Sequence, residues 1–479
     1  VGRVAGGDGN PLIEGLSPMD QPVGLGATAS HGQAFSPPLT LFSFLWAVAT
    51  LFHVASYDQW TEARLTIPTA FWVLLQPKST LAVVALALAH VCETFVSSPF
   101  IPNHQLFAAL ANTTLIAGAS VLALRTRRLA VSRDALFNAF APAVRIALLV
   151  LYVFAVFHKL NTDWFDPRVS CGSTLYGALH NRFPVLPQSA LWATGAIYLS
   201  LGFEIAIPLL LAVERTRHAG VLVGATFHWF LALHPFHGFY NFSSMLLALF
   251  SLFIRPELVT HLLERLGERR MRMVSLTMTA LLAACFFLSV SSVNQLLGGV
   301  DPFLRLWTFY GLAPVVALAV FADGDSNLRR ESGWQVFALP QPVLAVLPIV
   351  VFLNGLSPYL GLKTETAWAM FSNLRTEGGV SNHLLVPASV QVFDYQRDLV
   401  QVTRSSNSFL RRSAREGQLV PYFEVLRRPN ERIGFIRNGV EHPYKRVSDD
   451  PSFPGEVSFL QAKFLSFRPV DRRRQTCNH

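Results

Sequence analysis

The chain has only five lysines, Lys78, Lys159, Lys363, Lys445 and Lys463, and Lys159 alone stands at the end of a long apolar run. It lies in the tract Phe157-His158-Lys159-Leu160-Asn161-Thr162-Asp163-Trp164, which brings an amine, an imidazole, an amide, a carboxylate and an aromatic ring within two helical turns. An amine at a bilayer edge either snorkels to the headgroups or faces a cavity. A desolvated amine releases its proton more easily, which is what a general base needs near neutral pH. Snorkelling is the plainer reading of the position taken alone. The density of polar types around Lys159 exceeds what anchoring requires.

Three other features fall toward the same end of their segments. Asn103-His104 opens an apolar run, where His104 reads equally as a cap or headgroup contact and as a site residue. Glu204 lies inside another run, with helix–helix hydrogen bonding and a functional role evenly balanced. His228, His234 and His237 surround Pro235, but their spacing matches no metal motif and no cysteine or carboxylate accompanies them, so no metal is expected. His228 reads better as a hydrogen-bonding group lining a cavity. Phosphate loops, dinucleotide glycine fingerprints, nucleophile elbows and HExxH are all missing from the sequence.

The elements that would position these residues follow from composition. Of 479 residues 51% are hydrophobic and only 14% charged, with mean hydropathy +0.37 and net charge +9; a soluble domain carries about a quarter charged residues. An ordinary soluble enzyme is excluded, and nothing points to nucleic acid. The sequence predicts an all-α polytopic transmembrane helical bundle of about 9–10 spans, with a small β-rich C-terminal extramembrane domain. The apolar segments are 38–56, 79–97, 104–124, 139–160, 189–212, 219–234, 239–254, 273–295, 304–322 and 342–361. Stretch 65–76 is apolar but short, and reads as a half-membrane helix.

Residues 1–37 read as a flexible tail, 38–361 as the bundle and 362–479 as the β-rich domain. Loops 125–133, 213–218, 255–272 and 323–332 hold nearly all the loop arginines, whereas 98–103, 161–188, 235–238 and 296–303 hold only Arg168 and Arg182. The arginine-rich side is therefore expected to be cytoplasmic, with 161–188 and the C-terminal domain in the periplasm or a lumen. An inner-membrane protein is implied. If 65–76 does not cross, the N-terminal tail also lies outside. Runs 389–402, 420–428, 432–438 and 455–468 alternate like strands, and Asn438-Gly439 marks a tight turn. That domain carries 18 Lys plus Arg against 12 Asp plus Glu; it reads as a solvated charged surface, or as a contact for anionic membrane lipids. Cys92, Cys171, Cys285 and Cys477 leave room for one bridge without naming it. No internal repeat supports a transporter.

The tracts KLNTDWF from Lys159, NHQLF from Asn103, FHWFLALHPF from Phe227 and TETAWAMFSNLRTEGG from Thr364 resemble the bacterial HTTM proteins, relatives of vitamin K-dependent gamma-carboxylase. The resemblance covers about residues 40–380. It implies that Lys159 is the base that deprotonates a reduced quinone, a vitamin K hydroquinone-like molecule, with O2 and CO2 as co-reactants. It also implies that His104 stabilises a carbanion and that His228 matches the family's Phe-His tract, with Trp368 and Met370 in the segment entering the outer domain. Two departures stand out. Asn161 replaces the family's aspartate while Asp163 and Trp164 remain, and 118 C-terminal residues are too few for the carboxylase's propeptide-binding region.

The expected activity is therefore a quinol-dependent, epoxidase- or carboxylase-like reaction catalysed by Lys159, His104 and His228. Asn103, Asn161, Asp163, Trp164, Glu204, His234 and Trp368 are expected to bind the substrate, a quinol or isoprenoid, with a protein or peptide as a further substrate. The alternative is a non-catalytic lipid- or isoprenoid-binding or transport protein.

Overall fold

Where water is absent every backbone polar group must be satisfied within its own segment, so the apolar runs have little choice but helix. The computed structural model describes residues 36–57, 59, 62–234, 239–290, 301–321, 335–471 and 477. The expectations for the N-terminal tail up to residue 35, for His237 and for loop 323–332 lie outside these residues. The membrane-type helices are α1 (Pro37–Ser56), α2 (Thr66–Leu75), α3 (Thr80–Ser97), α4 (Asn103–Thr126), α5 (Arg133–Phe157), α6 (Cys171–Arg182), α7 (Ala190–Ala212), α8 (Arg217–Leu231), α9 (Phe239–Ser251), α10 (Pro256–Val290), α11 (Pro302–Phe321) and α12 (Val346–Leu360). Eight of the described helices are long and apolar enough to cross a membrane.

Local signals set their ends. Pro37 and Pro38 open α1, where their missing N–H groups cost nothing, and the hydroxyls of Ser79, Ser170 and Ser189 cap α3, α6 and α7. In α10 the chain breaks at Gly267, whose φ of +71° suits glycine. Gly355 lets α12 lie directly on α5, since a Cβ there would strike the Phe154 ring.

Contacts at the helix ends give the directions of travel. At one end the Arg133 guanidinium donates to Thr40 Oγ1 (3.3 Å) and to the Pro77 carbonyl (3.0 Å), and Lys78 pairs with Glu268 at 2.5 Å. At the other end Glu93 accepts from the amides of Leu65 and Thr66, and Asn241 Nδ2 donates to Ser56 Oγ. Between Thr66 and Pro77 the chain thus returns from the level of Glu93 to the level of Arg133, about 20 Å at 1.5 Å per helical residue. The stretch read as a half-membrane helix is the ten-residue α2, which runs back alongside α3. Helix α1 starts at the end that holds the described arginine loops.

Two expected spans, 219–234 and 239–254, are the short helices α8 and α9, of 15 and 13 residues. Every residue of α9 except Phe242 is buried, so this helix is core rather than lipid-facing wall. It packs against α1, itself buried along most of its length. The expected segment 273–295 belongs to the longer α10.

The C-terminal region holds a four-stranded antiparallel sheet, β1 (Leu399–Ser405), β2 (Leu419–Pro421), β3 (Arg432–Arg437) and β4 (Val440–Arg446), in the order β2-β1-β3-β4. Asn438 and Gly439, both with positive φ, make the two-residue turn between β3 and β4. Run 432–438 is thus a strand as expected. Only the end of 389–402 is strand, 420–428 is mostly the helical turn Phe423–Leu426, and 455–468 contains the helix Phe459–Phe464 instead of a strand. The last of these starts with a reciprocal Ser458/Gln461 cap, a local signal stronger than the alternating pattern. Lys463 Nζ ties this region to the bundle through the carbonyls of Phe95, Val96 and Ser98.

Candidate active site

Helix α5 ends at Phe157, so Lys159 lies in the turn beyond it. Asn161 builds that turn. Its Oδ1 accepts from the amides of Asp163 (3.1 Å) and Trp164 (2.8 Å), and its Nδ2 donates to the carbonyls of His158 and Ser372. His158 bonds Tyr359 Oη and the Ala367 carbonyl, tying α5 to α12 and the segment that follows it. The neighbouring Lys159 turns the other way, into a cavity of ≈ 340 Å³.

The Lys159 amine is well enclosed, with 5% of the residue exposed. Its Nζ lies 2.6 and 2.8 Å from the two oxygens of Glu204 on α7, donates to the Ala155 carbonyl (3.2 Å), and sits 5.2 Å from the centre of a Trp164 ring. In a low-dielectric wall such a pair is strongly coupled, and removing either partner strands the other.

Asn103, His104, Lys159, Trp164, Glu204, His234 and Trp368 all line the cavity, although they come from five separate parts of the chain. The rest of its wall is almost entirely apolar. Asn103 Oδ1 accepts from the Trp368 amide (2.8 Å), and the Trp368 indole donates to the Val351 carbonyl (2.8 Å). These bonds hold an unusual piece of wall, for Thr366, Trp368, Phe371 and Asn373 all have φ between +53° and +64°. Left-handed backbone at β-branched and aromatic residues is costly and persists only when surroundings fix it. Here Asn354 Nδ2 holds the Thr366 carbonyl, and Asn373 bonds the Cys171 amide and the Val169 carbonyl.

The structure does not gather every expected residue around the space. His228 stands just behind the Phe227 and Phe242 walls, with Nε2 2.8 Å from Tyr152 Oη. Asn161 and Asp163 support the turn: Asn161 engages backbone groups, and Asp163 has Arg375 at 4.0 Å. His234 meets the Leu175 carbonyl at 3.1 Å. Among the described residues no group of three His, Cys, Asp or Glu is arranged to hold a metal ion.

Several buried nitrogens at the site have no hydrogen-bond partner among the described residues: His104 Nδ1, Trp164 Nε1 and His228 Nδ1. Buried polar atoms normally are paired, so two of these on a cavity wall mark where a polar ligand atom would bond. Sequence reasoning missed His53, whose Nδ1 lies 3.0 Å from His104 Nε2, as well as His90 and Tyr152. Tyr152 lies two helical turns before Lys159, which was a usable signal. Lone histidines inside apolar runs offered none.

A disulfide joins Cys171, at the start of α6, to Cys477. It closes the wall behind Trp164 and Ile197. Comparisons with protein-family models, with curated proteins and with solved structures found no match for this chain.

Proposed function

We propose that the chain is a membrane enzyme of the kind its KLNTDW tract resembles, acting on a lipid-soluble quinol in the ≈ 340 Å³ cavity. The observation that carries this reading is the enclosed Lys159 amine facing an otherwise apolar space of ligand size. A quinol suits that space: its ring and isoprenoid chain match the wall, and its hydroxyls match the unpartnered nitrogens of His104 and Trp164.

Lys159 and Glu204 act as one acid–base unit. Transfer of the lysine's proton to the carboxylate 2.6 Å away frees an amine to take the substrate's hydroxyl proton. His104 orients the resulting anion, and the apolar wall keeps water from it. His228 acts through Tyr152 from behind the wall, as a positioning residue. Oxygen and carbon dioxide enter as expected co-reactants by resemblance alone.

For the membrane arrangement, we assign the arginine-bearing end to the cytoplasm and the cavity end, with the C-terminal region, to a periplasm or lumen. The Cys171–Cys477 disulfide supports this, because such bonds persist in oxidising compartments. Counting α2, α8 and α9 with the eight long helices gives eleven passes, close to the nine or ten expected.

The direct test is quinol consumption by the full chain in lipid nanodiscs. Lys159→Ala should abolish it with a lowered melt, because Glu204 is stranded, and Lys159→Met with Glu204→Gln should abolish it while keeping the melt closer to native; unchanged turnover in either would overturn the assignment. A second reading has one observation in its favour: both oxygens of Glu204 already engage the amine. A non-catalytic lipid or isoprenoid carrier would keep the pair closed. Mass spectrometry of the extracted ligand separates the two, since a carrier returns its lipid unchanged after exposure to oxygen and carbon dioxide.

A further inference from the structure

The wall that excludes water from Lys159 also leaves a problem, because a base that collects a proton in each cycle must return it to water. Behind His104 the structure contains a series of groups suited to that task. His104 lines the main cavity, has no partner at Nδ1, and meets His53 through Nε2···Nδ1 at 3.0 Å. His53 Nε2 makes no closely aligned hydrogen bond among the described residues, with the Gln59 and Gln105 side chains beside the ring, and the His90 ring centre stands 6.5 Å from that of His53.

Two small voids continue the line. One of ≈ 20 Å³ is bounded by His53, His90, His104, Gln105, Thr50 and Asn241 among others. The next, of ≈ 10 Å³, is shared by His53 and His90 and reaches Gln59, Glu62 and Glu93. A space of roughly 10–15 Å³ with several polar neighbours holds one water molecule. Glu62 is exposed and Glu93 half-buried, so the line ends at carboxylates in reach of solvent.

We propose that His104, His53 and His90 form a proton relay connecting the cavity to the Glu62/Glu93 face. The proposal rests on the quinol reading for its purpose, and on the histidine geometry for its path. Each step balances. A proton arriving at His104 Nδ1 is matched by transfer of the Nε2 proton to His53 Nδ1. The His53 Nε2 proton then passes through water in the first void to one ring nitrogen of His90, whose other nitrogen gives up its proton through the second void to a Glu62 or Glu93 carboxylate and so to solvent; rotation of each ring about its Cβ–Cγ bond restores the starting tautomers. No charge accumulates and no redox partner is needed. The alternative purpose for buried imidazoles, holding helices together, requires hydrogen bonds but no exchangeable proton.

That difference sets the test. Glutamine replaces an imidazole's hydrogen bond without passing a proton, so His53→Gln preserves a structural role and blocks a relay. Full-length protein in nanodiscs, with 15N-labelled histidine, is read by saturation transfer from water to the His104 ring N–H. The expected result is rapid exchange in the native protein, slowed at least about tenfold in both His53→Gln and His90→Gln. Quinol turnover should fall by a similar factor in the same variants, with KM unchanged. Native exchange rates in the glutamine variants would overturn the relay, whatever the turnover. Rapid exchange in a native protein that consumes no quinol would strike down the enzyme reading and leave the relay standing. If His53→Gln does not fold, His90→Gln alone carries the same two outcomes.

Discussion

Among the described residues two chambers are large enough for a lipid-sized ligand, and the larger is the less interesting. The chamber near the arginine-bearing end, between α1, α9, α10 and α11, measures ≈ 610 Å³ against ≈ 340 Å³ for the one beside Lys159. Its wall is mostly Leu, Phe, Val, Met and Ala; the hydroxyls of Thr40 and Ser251 already bond nearby carbonyls, and the one buried polar atom there without a partner among the described residues is the Tyr310 hydroxyl. The smaller chamber draws an ion pair, two histidines and an asparagine to one space, two of its buried nitrogens still seeking partners. Volume measures how much greasy matter fits. Convergent polar groups from distant parts of the chain measure whether anything is done to it.

The contrast can be broken most sharply by Lys159→Ala. General acid–base groups contribute about 10²–10⁴ in rate, so a loss of at least ~100-fold in quinol consumption is expected. A loss below tenfold would make the smaller chamber as inert as the larger. Next comes the closure of its wall. Cys171→Ser with Cys477→Ser, or reduction of the native bond, should lower stability by about 2–4 kcal/mol, read as a lower melting temperature, with no counterpart at the arginine-bearing end.

The segment leading from α12 into the cavity wall gives a pH signature. Burial holds the Lys363 amine down at about 8, with Glu365 pulling the other way. Below pH 8 the folded state must carry that buried charge. As pH rises from about 8 to the unfolded value near 10.4 the folded protein sheds the proton first, so stability should climb by on the order of 3 kcal/mol. Unfolding midpoints across that range check the sign, and Lys363→Met should flatten the profile. The smallest effect sharpens the contrast directly. Leu199→Trp, filling the smaller chamber, should raise KM for quinol about tenfold, some 1.4 kcal/mol, whereas Met278→Trp in the larger one should change it less than twofold.

Much of this was legible in the chain itself. Length and polarity of the apolar runs gave the long helices, and Lys159, Trp164, Glu204, Asn103, His104 and Trp368 could be named before their meeting was visible. Helices α8 and α9 are shorter than the runs suggested, because hydropathy cannot separate a segment buried in protein from one buried in lipid. Stretch 65–76 was legible as a short apolar helix, and the ten residues of α2 bear that out. Asn161 was read as a ligand contact because its work is done on backbone groups from remote segments, which no local pattern discloses. His53 and His90 stayed hidden for the same reason: each is a single polar residue on an apolar helix until its neighbours are known.

Energy alone would have placed glycine at positions 366, 368 and 371, where the backbone bends into a basin that branched and ring-bearing residues shun. The chain instead carries Thr366, Trp368 and Phe371, and the latter two present their rings to the hollow beside Lys159. A glycine-softened version would fold with less tension and lose the very surfaces that give the hollow its outline. The tense stretch is thus a mould, its form kept firm so that whatever enters must conform to it.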